Sequence, residues 1–209
     1  MAHLSVCDKA NPRTLEGNLL KMATEATAYA RAGLIGNPSD GYFGKTISFT
    51  MTEFAAKVSM YENYEAEIVP SIEDRSTFPS IRDLMVDVKQ HGYYGAIRLM
   101  KAAIRVFVEY CDEKGIHLHD KGFTIRYRTT IPRHLGLAGS SALVTATLRC
   151  LMDFYEIDIP KPIQPNIILK VEREELGISA GLQDRVIQVY EGCVYMDFDK
   201  ELLEKQGYG

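Results

Sequence analysis

Alternation of apolar and polar residues marks three stretches of this chain as β-strands. Residues 46–52, 54–60 and 123–129 each alternate with a period of two, as a strand does when one of its faces is buried. Because the first two stretches adjoin, they predict either an antiparallel hairpin or one long, bent ribbon. Shorter or less regular strands are predicted at residues 28–36, 65–69 and 193–197.

Apolar residues at helical spacing predict helices in much of the remaining chain. The predicted helices cover residues 81–90, 93–114, the stretch after Ala142, and residues 166–176 and 181–189. Gly115 and Gly177 follow two of them, and glycine is the usual residue just beyond a helix end. Strong turn chemistry, Asn-Pro-Ser-Asp-Gly, follows the first strand at residues 37–41. This mixture of strands and helices predicts an α+β fold.

The composition is that of a folded protein with a sizeable core. Its 209 residues are enough for one large domain or two small ones. Of these residues, 46% are hydrophobic and 25% are charged. Its formal net charge is −4 at pH 7, and no run of basic residues stands out. Nucleic acid, whose phosphates need a concentrated basic surface, is therefore not expected as a main partner.

The cysteines and the absence of targeting signals bear on the compartment. Four cysteines lie far apart, without metal-ligand or CxxC spacing, at Cys7, Cys111, Cys150 and Cys193. They are typical of free thiols in a reducing environment. The first 21 residues lack the apolar core of a signal peptide, and no apolar run is long enough to cross a bilayer. We expect a cytoplasmic protein without a membrane partner, with a loose leader at residues 1–25 and a domain at residues 26–209.

A glycine- and serine-rich segment, residues 131–142, lies where the strand at 123–129 gives way to a helix. At a helix start the first backbone N–H groups lack partners, and the helix dipole presents its positive end. Glycine lets the backbone approach an anion closely, and Ser140 or Ser141 can add a hydroxyl group. The segment is therefore either a phosphate-binding loop or a plain glycine turn with a serine N-cap.

Three charged residues occupy settings of small or apolar residues. Arg31 lies within an apolar strand, so its guanidinium needs a partner, either a bound anion or the carboxylate of a structural ion pair. Asp40 either binds a ligand or merely caps its own turn. Asp184 follows an acidic stretch at a predicted helix start, where it can act as a general base, orient a hydroxyl group or serve as an ordinary N-cap.

The order and spacing of these segments resemble a known enzyme family. Arg-x-x-Leu-Ile-Gly-x-x-x-Asp begins at Arg31, Pro-x3-Gly-Leu-x-Gly-Ser-Ser-Ala at Pro132, and Glu-x4-Gly-x3-Gly-x-x-Asp at Glu172. Together they resemble the first two-thirds of a sugar kinase of the GHMP superfamily. That superfamily includes the galactokinases, homoserine kinases, mevalonate kinases and phosphomevalonate kinases.

Within that superfamily, segments 36–48, 92–95 and 180–186 are most similar to those of glucuronokinases. The resemblance runs from about Ala30 to the end of the chain. It implies an α+β domain like domain 2 of ribosomal protein S5, with a mixed sheet covered by helices. It also implies ATP and Mg²⁺ as cofactors and a small sugar acid as substrate. The expected reaction converts D-glucuronate and ATP into glucuronate 1-phosphate and ADP, which feeds UDP-glucuronate synthesis.

The resemblance implies that the loop binds the ATP phosphates and a metal ion. The phosphate-binding residues would be Gly136, Leu137, Ala138, Gly139, Ser140, Ser141 and Ala142. Ser140 or Ser141 would reach Mg²⁺ together with Glu172. Glu174 takes the place of Glu172 if the register shifts.

The resemblance also implies how the sugar is held and activated. Asp184 would act on the anomeric hydroxyl group as base or orienting group, and Arg31 would stabilise the charge that develops. Asp40, Asn37 and Tyr42 would bind the sugar. The substrate carboxylate would need a cation, for which the sequence offers Lys45, Arg126 and Arg128.

Three departures from the family pattern bear on the assignment. Ala138 lengthens the common Gly-Leu-Gly-Ser-Ser loop by one residue, and Asn37-Pro38 replaces the Glu-His of galactokinases, which indicates a different sugar. The family's third motif, a glycine-rich loop of a C-terminal domain, is absent, which predicts the N-terminal part of the enzyme. The alternatives are an inactive nucleotide- or sugar-binding module, or a kinase for another sugar or a small alcohol. The sequence leaves the oligomeric state open.

Overall fold

A five-stranded mixed sheet forms one layer of the structure, a computed structural model that describes residues 23–71, 74, 79–91 and 95–207. Its strands are β1 (Ala23–Ile35), β2 (Lys45–Asn63), β3 (Glu67–Ile68), β4 (Gly122–Thr129) and β5 (Cys193–Asp197). β2 is central: it pairs antiparallel with β1, with β4 and, near its own start, with β5. β3 pairs parallel with β4. The mixed sheet is as expected.

The described residues also form α-helices, some of which pack on this sheet. They are α1 (Ile81–His91), α2 (Ala96–Glu113), α3 (Gly139–Tyr155), α4 (Gln164–Lys170), α5 (Gln183–Tyr190) and α6 (Lys200–Gln206). α2 and α3 pack against each other, and α3 also packs on β1 and β2. A 3₁₀ turn, Ser39–Tyr42, follows β1, and a π-helical turn, Val171–Glu175, continues α4. The two turns and the start of α5 surround the candidate site.

β2 is a single strand of 19 residues, so the bent ribbon is correct and the hairpin is wrong. Its pairing with β1 shifts register at one point, because Tyr29 lies opposite Ala55 whereas Ala30 lies opposite Met51. Residues 52–54 are thereby left without partners in β1. Such a bulge bends a strand and increases its twist. The alternation of apolar and polar residues is interrupted here, which is why the sequence also allowed two separate strands.

Small side chains fill the space between the sheet and α3. Ala28 and Ala30 of β1 and Ala56 of β2 are fully buried, and Cys150 on the facing helix is fully buried as well. Small residues allow helix and sheet to pack closely. The Cys150 thiol donates a hydrogen bond to the carbonyl oxygen of Val58 at 3.0 Å. Burial raises the pKa of this thiol to about 12.

Several predicted boundaries are corrected. β1 begins at Ala23, so the last residues of the expected leader belong to the sheet, while residues 1–22 lie outside the described residues. α4 begins at Gln164, with Pro165 in its first turn, where proline is well tolerated. α2 begins at Ala96, and the expected break at Gly92 lies outside the described residues. α6 was not predicted. The strand at 193–197 is confirmed.

Two observations concern the environment of the protein. Cys111, Cys150 and Cys193 are free thiols, while Cys7 lies outside the described residues. Across the described ranges, no helix combines the length and the apolar character that crossing a membrane requires.

Candidate active site

The loop between β4 and α3 has an unusual backbone. His134, Gly136 and Ala138 all have positive φ angles, of 61°, 69° and 57°. Alternation of left-handed and right-handed residues turns successive N–H groups towards one side and forms a concave anion site. Ala138 is the N-cap of α3 and has no side chain that could accept a hydrogen bond from the first turn. The helix therefore begins without a side-chain cap, and the serine N-cap considered from the sequence is wrong.

The loop is braced from behind through its carbonyl groups. Arg31 donates from its backbone N–H to the oxygen of Leu137, at 3.3 Å, and from Nη1 to the oxygen of Gly136, at 3.1 Å. Gln188 of α5 donates from Nε2 to the oxygen of Ala138, at 2.9 Å. Three successive carbonyl groups are thus fixed to β1 and α5. A backbone held in this way is preorganised for a ligand on its other side.

Arg31 and Asp184 form an ion pair beside the loop. Nε and Nη2 of Arg31 lie 2.6 Å and 2.5 Å from Oδ1 of Asp184, although the residues are 153 positions apart. Arg31 is only 8% exposed, so the expectation that its guanidinium needs a partner is confirmed, and a carboxylate supplies it. Asp184 lies in the first turn of α5, but the N-cap position belongs to Leu182. The side chain of Asp184 therefore serves the ion pair, not the helix end.

Glu172 lies beneath the other side of the loop. It is fully buried in the π-helical turn, and its Oε1 accepts a hydrogen bond from Ser140 Oγ at 2.8 Å. Its Oε2 is ion-paired with Arg185 of α5. Single π turns occur often at functional sites. Glu174, the alternative in the other register, is exposed.

Of the two serines at the start of α3, only Ser140 contacts Glu172. Ser141 is fully buried, and its hydroxyl group donates to the oxygen of Ala138 at 3.1 Å. Ala142 is fully buried as well. The loop thus presents one of its two hydroxyl groups to the acidic side chain and turns the other back onto its own backbone.

Asp40 and Asn37 hold the start of α5. Asp40 Oδ2 accepts a hydrogen bond from the backbone N–H of Gln183 at 3.1 Å, and Asn37 Oδ1 accepts one from its Nε2 at 3.2 Å. Asp40 therefore stabilises the start of a distant helix, and the view that it merely caps its own turn is wrong. Gly181 explains this closeness, because a Cβ there would lie 2.1 Å from Asp40 Oδ2. Tyr42 is 82% exposed.

Some of these residues line an open cavity of about 320 Å³. Its polar end is formed by Arg31, Asp184 and residues 136–140 of the loop, and its side wall includes Tyr127 and Thr129 of β4. Arg133 and His134 of the loop also line the cavity, and apolar residues from the start of α2, the loop and α3 form the rest of the wall. Asn37, Asp40 and Tyr42 do not line it. The cavity thus offers an apolar pocket that ends at backbone N–H groups and an arginine–aspartate pair.

Comparison with known proteins matches this chain to a protein family. Residues 98–192 match the family described as "GHMP kinases N terminal domain". Over 189 residues, 88% of the chain, the sequence is 50% identical to probable glucuronokinase 2 of Arabidopsis thaliana. Over 190 residues, 90% of the chain, it is 48% identical to glucuronokinase 1 of the same plant. This chain contains a GHMP kinase N-terminal domain. It spans about half the length of these relatives, 51% and 52%.

Solved structures support the fold of the GHMP domain. The galactokinase of Lactococcus lactis, crystallised with galactose, matches 90% of this chain and 47% of its own, with a TM-score of 0.66 and 17% identity. The mevalonate kinase of Methanococcus jannaschii matches 87% of this chain and 55% of its own, with a TM-score of 0.64 and 18% identity. At such identities the likeness speaks for the fold alone. The expected α+β fold is confirmed.

The three cations considered for the substrate carboxylate lie away from the cavity of the GHMP domain. Arg126 and Arg128 are exposed and alternate along β4 with the cavity residue Tyr127, so they belong to the opposite face of the sheet. Lys45 forms an ion pair with Asp197, with Nζ and Oδ2 2.9 Å apart. The hydrogen bond from Lys45 lowers the pKa of the Asp197 carboxyl group.

The oxygen atoms of Ser140 and Glu172 are the best candidates for holding a metal ion in the GHMP domain. Within the described part of the chain, no three His, Cys, Asp or Glu side chains cluster into a metal site. Magnesium at phosphate sites does not need such a cluster, because it binds one or two carboxylates together with phosphate and water oxygens. The hydroxyl and carboxylate oxygens found here are of the kind that Mg²⁺ prefers, so they fit.

Sequence reasoning gave no role to Arg185 and Gln188. Both are buried, at 3% and 0% exposure, and both brace the site through hydrogen bonds. The sequence did contain a signal for buried polar side chains, since the two residues flank the apolar pair Val186-Ile187 in a short helix. Polar side chains on the buried face of a helix need buried partners. That rule predicts contacts but does not say with which residue.

Proposed function

We propose that this chain is the ATP-binding part of a sugar 1-kinase that phosphorylates a sugar acid, with D-glucuronate as the substrate. The domain would comprise residues 26–209. The observation that carries the proposal is the Arg31–Asp184 pair at the polar end of the cavity, beside the braced loop. Identity of 48–50% to two plant proteins named as glucuronokinases supports the choice of sugar acid.

In the proposed mechanism, residues Gly136–Ala142 hold the phosphate groups of ATP. The positive φ angles of the loop and the uncapped start of α3 support this role, because they offer N–H groups and a positive helix end to an anion. Phosphoryl transfer depends mainly on positioning and on neutralising charge. The bracing by Arg31 and Gln188 supplies the positioning before ATP arrives.

Asp184 acts on the anomeric hydroxyl group of the sugar. Its carboxylate accepts the hydroxyl proton as the sugar oxygen forms its bond to the terminal phosphorus, and ADP leaves with the electrons of the broken bond. Arg31 holds Asp184 Oδ1 and contributes positive charge near the developing oxyanion. Asp40, Asn37 and Tyr42 are proposed to bind the sugar outside the lining of the cavity, with Asp40 and Asn37 next to the start of α5.

Ser140 and Glu172 are proposed to hold Mg²⁺ beside the phosphate groups. The ion neutralises phosphate charge when bound. The buried position of Glu172 and its 2.8 Å hydrogen bond to Ser140 support this choice over Glu174 and Ser141. The proposed compartment is cytoplasmic, which the free thiols of the described residues support.

The test combines binding and turnover. Titration calorimetry with Mg-ATP and with glucuronate, alongside an ADP-release assay, is applied to the 209-residue chain. Glucuronate-dependent ADP release supports the kinase, and a panel with galactose, glucose and small alcohols checks the substrate. Binding of both ligands without turnover supports the second candidate, an inactive nucleotide- or sugar-binding module. Absence of nucleotide binding contradicts the kinase, and absence of binding of either ligand contradicts both candidates.

Asp184→Asn tests the catalytic assignment wherever turnover is found. Loss of a general base lowers turnover by about 100- to 10,000-fold, while the chain should still fold and bind nucleotide. The melting temperature should fall, because Arg31 loses its charged partner in a mostly buried ion pair. Asp158→Asn is the matched control, because Asp158 is exposed and does not line the cavity. Near-normal turnover in Asp184→Asn would remove Asp184 from the mechanism.

A further inference from the structure

Arg185 joins the two sides of the candidate site through a chain of buried contacts. Its Nε donates to Glu172 Oε2 at 2.7 Å, and its Nη2 donates to the same oxygen. Its Nη1 donates to the carbonyl oxygen of Gly181 at 2.9 Å and lies 3.4 Å from Asp184 Oδ2. Arg185 is 3% exposed and Glu172 is fully buried, so solvent does not replace these contacts.

The two oxygens of Glu172 are therefore used differently. Oε2 receives two donors from Arg185, whereas Oε1 accepts a single hydrogen bond from Ser140 at 2.8 Å. A carboxylate oxygen has about two lone-pair sites, so two donors occupy Oε2. Only Oε1 remains turned towards the loop.

We propose that Arg185 is a positioning residue that restricts Glu172 to one oxygen for the cation that accompanies the nucleotide. The inference rests on the proposed function, since it takes Glu172 as the acidic partner of that cation. Mg²⁺ is small and demands near-octahedral geometry, whereas Ca²⁺ has more ligands and readily accepts both oxygens of one carboxylate. Blocking one oxygen therefore favours Mg²⁺ over Ca²⁺.

The chemistry of arginine suits this role better than that of lysine. The guanidinium is a rigid, planar fork, so Nε and Nη2 are directed at one place while Nη1 reaches Gly181 and Asp184. A lysine ammonium is a single point of charge on a flexible chain and is free to bridge both oxygens of Glu172. The same fork also fixes Oδ2 of Asp184, so the metal side and the base side share one positioning residue.

The experiment measures the binding of a non-hydrolysable ATP analogue to the 209-residue chain by calorimetry, with Mg²⁺, with Ca²⁺ and with EDTA. In the unmodified chain we expect Mg²⁺ to increase the affinity more than Ca²⁺ does. In Arg185→Gln the gain in affinity due to Mg²⁺ should fall by about tenfold or more, as when other partners of metal ligands are removed. The gain due to Ca²⁺ should change less, so that the preference for Mg²⁺ disappears.

Two further variants make the outcome decisive. Arg149→Gln is the control, because Arg149 is another partly buried arginine with several hydrogen bonds, to the carbonyl groups of Thr27 and Gln188 and to Glu191. Both Gln variants should melt at lower temperature, but Arg149→Gln should keep the Mg²⁺ preference. Arg185→Lys keeps the charge, and we expect it to lose the preference; it decides the matter if Arg185→Gln does not fold.

The possible failures are distinguishable. If Arg185→Lys and any folded Arg185→Gln keep the Mg²⁺ preference of the unmodified chain, the inference is wrong and the proposed function stands. If the unmodified chain gains no nucleotide affinity from Mg²⁺, both the inference and the proposed metal site are wrong.

Discussion

Gly181→Ala tests whether the contact between Gly181 and Asp40 is what requires glycine at the start of α5. An added Cβ would lie 2.1 Å from Asp40 Oδ2 and 2.8 Å from its Cγ, so the carboxylate must move. Movement removes its hydrogen bond to the Gln183 N–H, which is 3.1 Å long in the native structure. Gly181 does not have a positive φ angle, so alanine fits the backbone itself.

The magnitude follows from two opposing terms. Loss of a helix cap costs about 1 kcal/mol, with a range of roughly 0.5–2 kcal/mol, and forcing an extra methyl group into a filled space adds about 1 kcal/mol. Replacing glycine by alanine at an unstrained position returns about 0.4–1 kcal/mol through the unfolded state. We therefore expect Gly181→Ala to lower the free energy of unfolding by about 1–2 kcal/mol.

A double-mutant cycle identifies the cause. In an Asp40→Ala background both the clash and the cap are absent, so Gly181→Ala should be neutral or stabilising by about 0.4–1 kcal/mol. Urea unfolding followed by far-UV circular dichroism measures all four proteins. Gly41→Ala is the control, since a Cβ at Gly41 meets nothing within 4 Å. If Gly181→Ala costs the same with and without Asp40, the reasoning about this contact is refuted.

Two further predictions concern other parts of the fold. Gly36 has φ +85°, and a Cβ there would lie 2.2 Å from the backbone oxygen of Lys45, which cannot swing aside. Gly36→Ala should therefore destabilise the fold by more than about 2 kcal/mol, as measured by thermal melts. A cost below about 0.5 kcal/mol would contradict this geometry. Burial raises the pKa of Cys150 to about 12, whereas a thiol in the unfolded chain ionises near pH 9. The contribution of this buried thiol to stability is therefore complete below pH 9 and declines as the pH rises to 12. By pH 10 the loss is about 1.4 kcal/mol, and Cys150→Ala should flatten the fall in urea midpoint between pH 8 and pH 10, whereas exposed Cys193→Ala should not.

Local patterns predicted the parts of the site that depend on a single residue's physical needs. A guanidinium in an apolar strand needs a negatively charged partner, and Arg31 forms an ion pair with Asp184. Glycines and serines between a strand and a helix indicated a concave, anion-friendly backbone, and the alternating positive φ angles agree with this. These inferences needed only local information.

Roles that depend on distant contacts were beyond the sequence. Asp40 stands in a strong turn motif, yet its carboxylate stabilises the start of α5, 143 positions away. Arg185 lies next to Asp184, but nothing in its neighbourhood shows that it meets Glu172 across the π-helical turn. The bulge at residues 52–54 likewise depends on pairing with β1, which the pattern within β2 does not contain.

The bracing of the loop has a consequence for how this sequence can vary over time. Arg31 fixes the carbonyl groups of Gly136 and Leu137 as well as Asp184, and Gln188 fixes Ala138 together with Tyr29. Each of these side chains has several partners, so a replacement that suits one partner disturbs the others. Substitutions at these positions are therefore expected to show strong epistasis, with the fitness effect of one depending on the residue at the other.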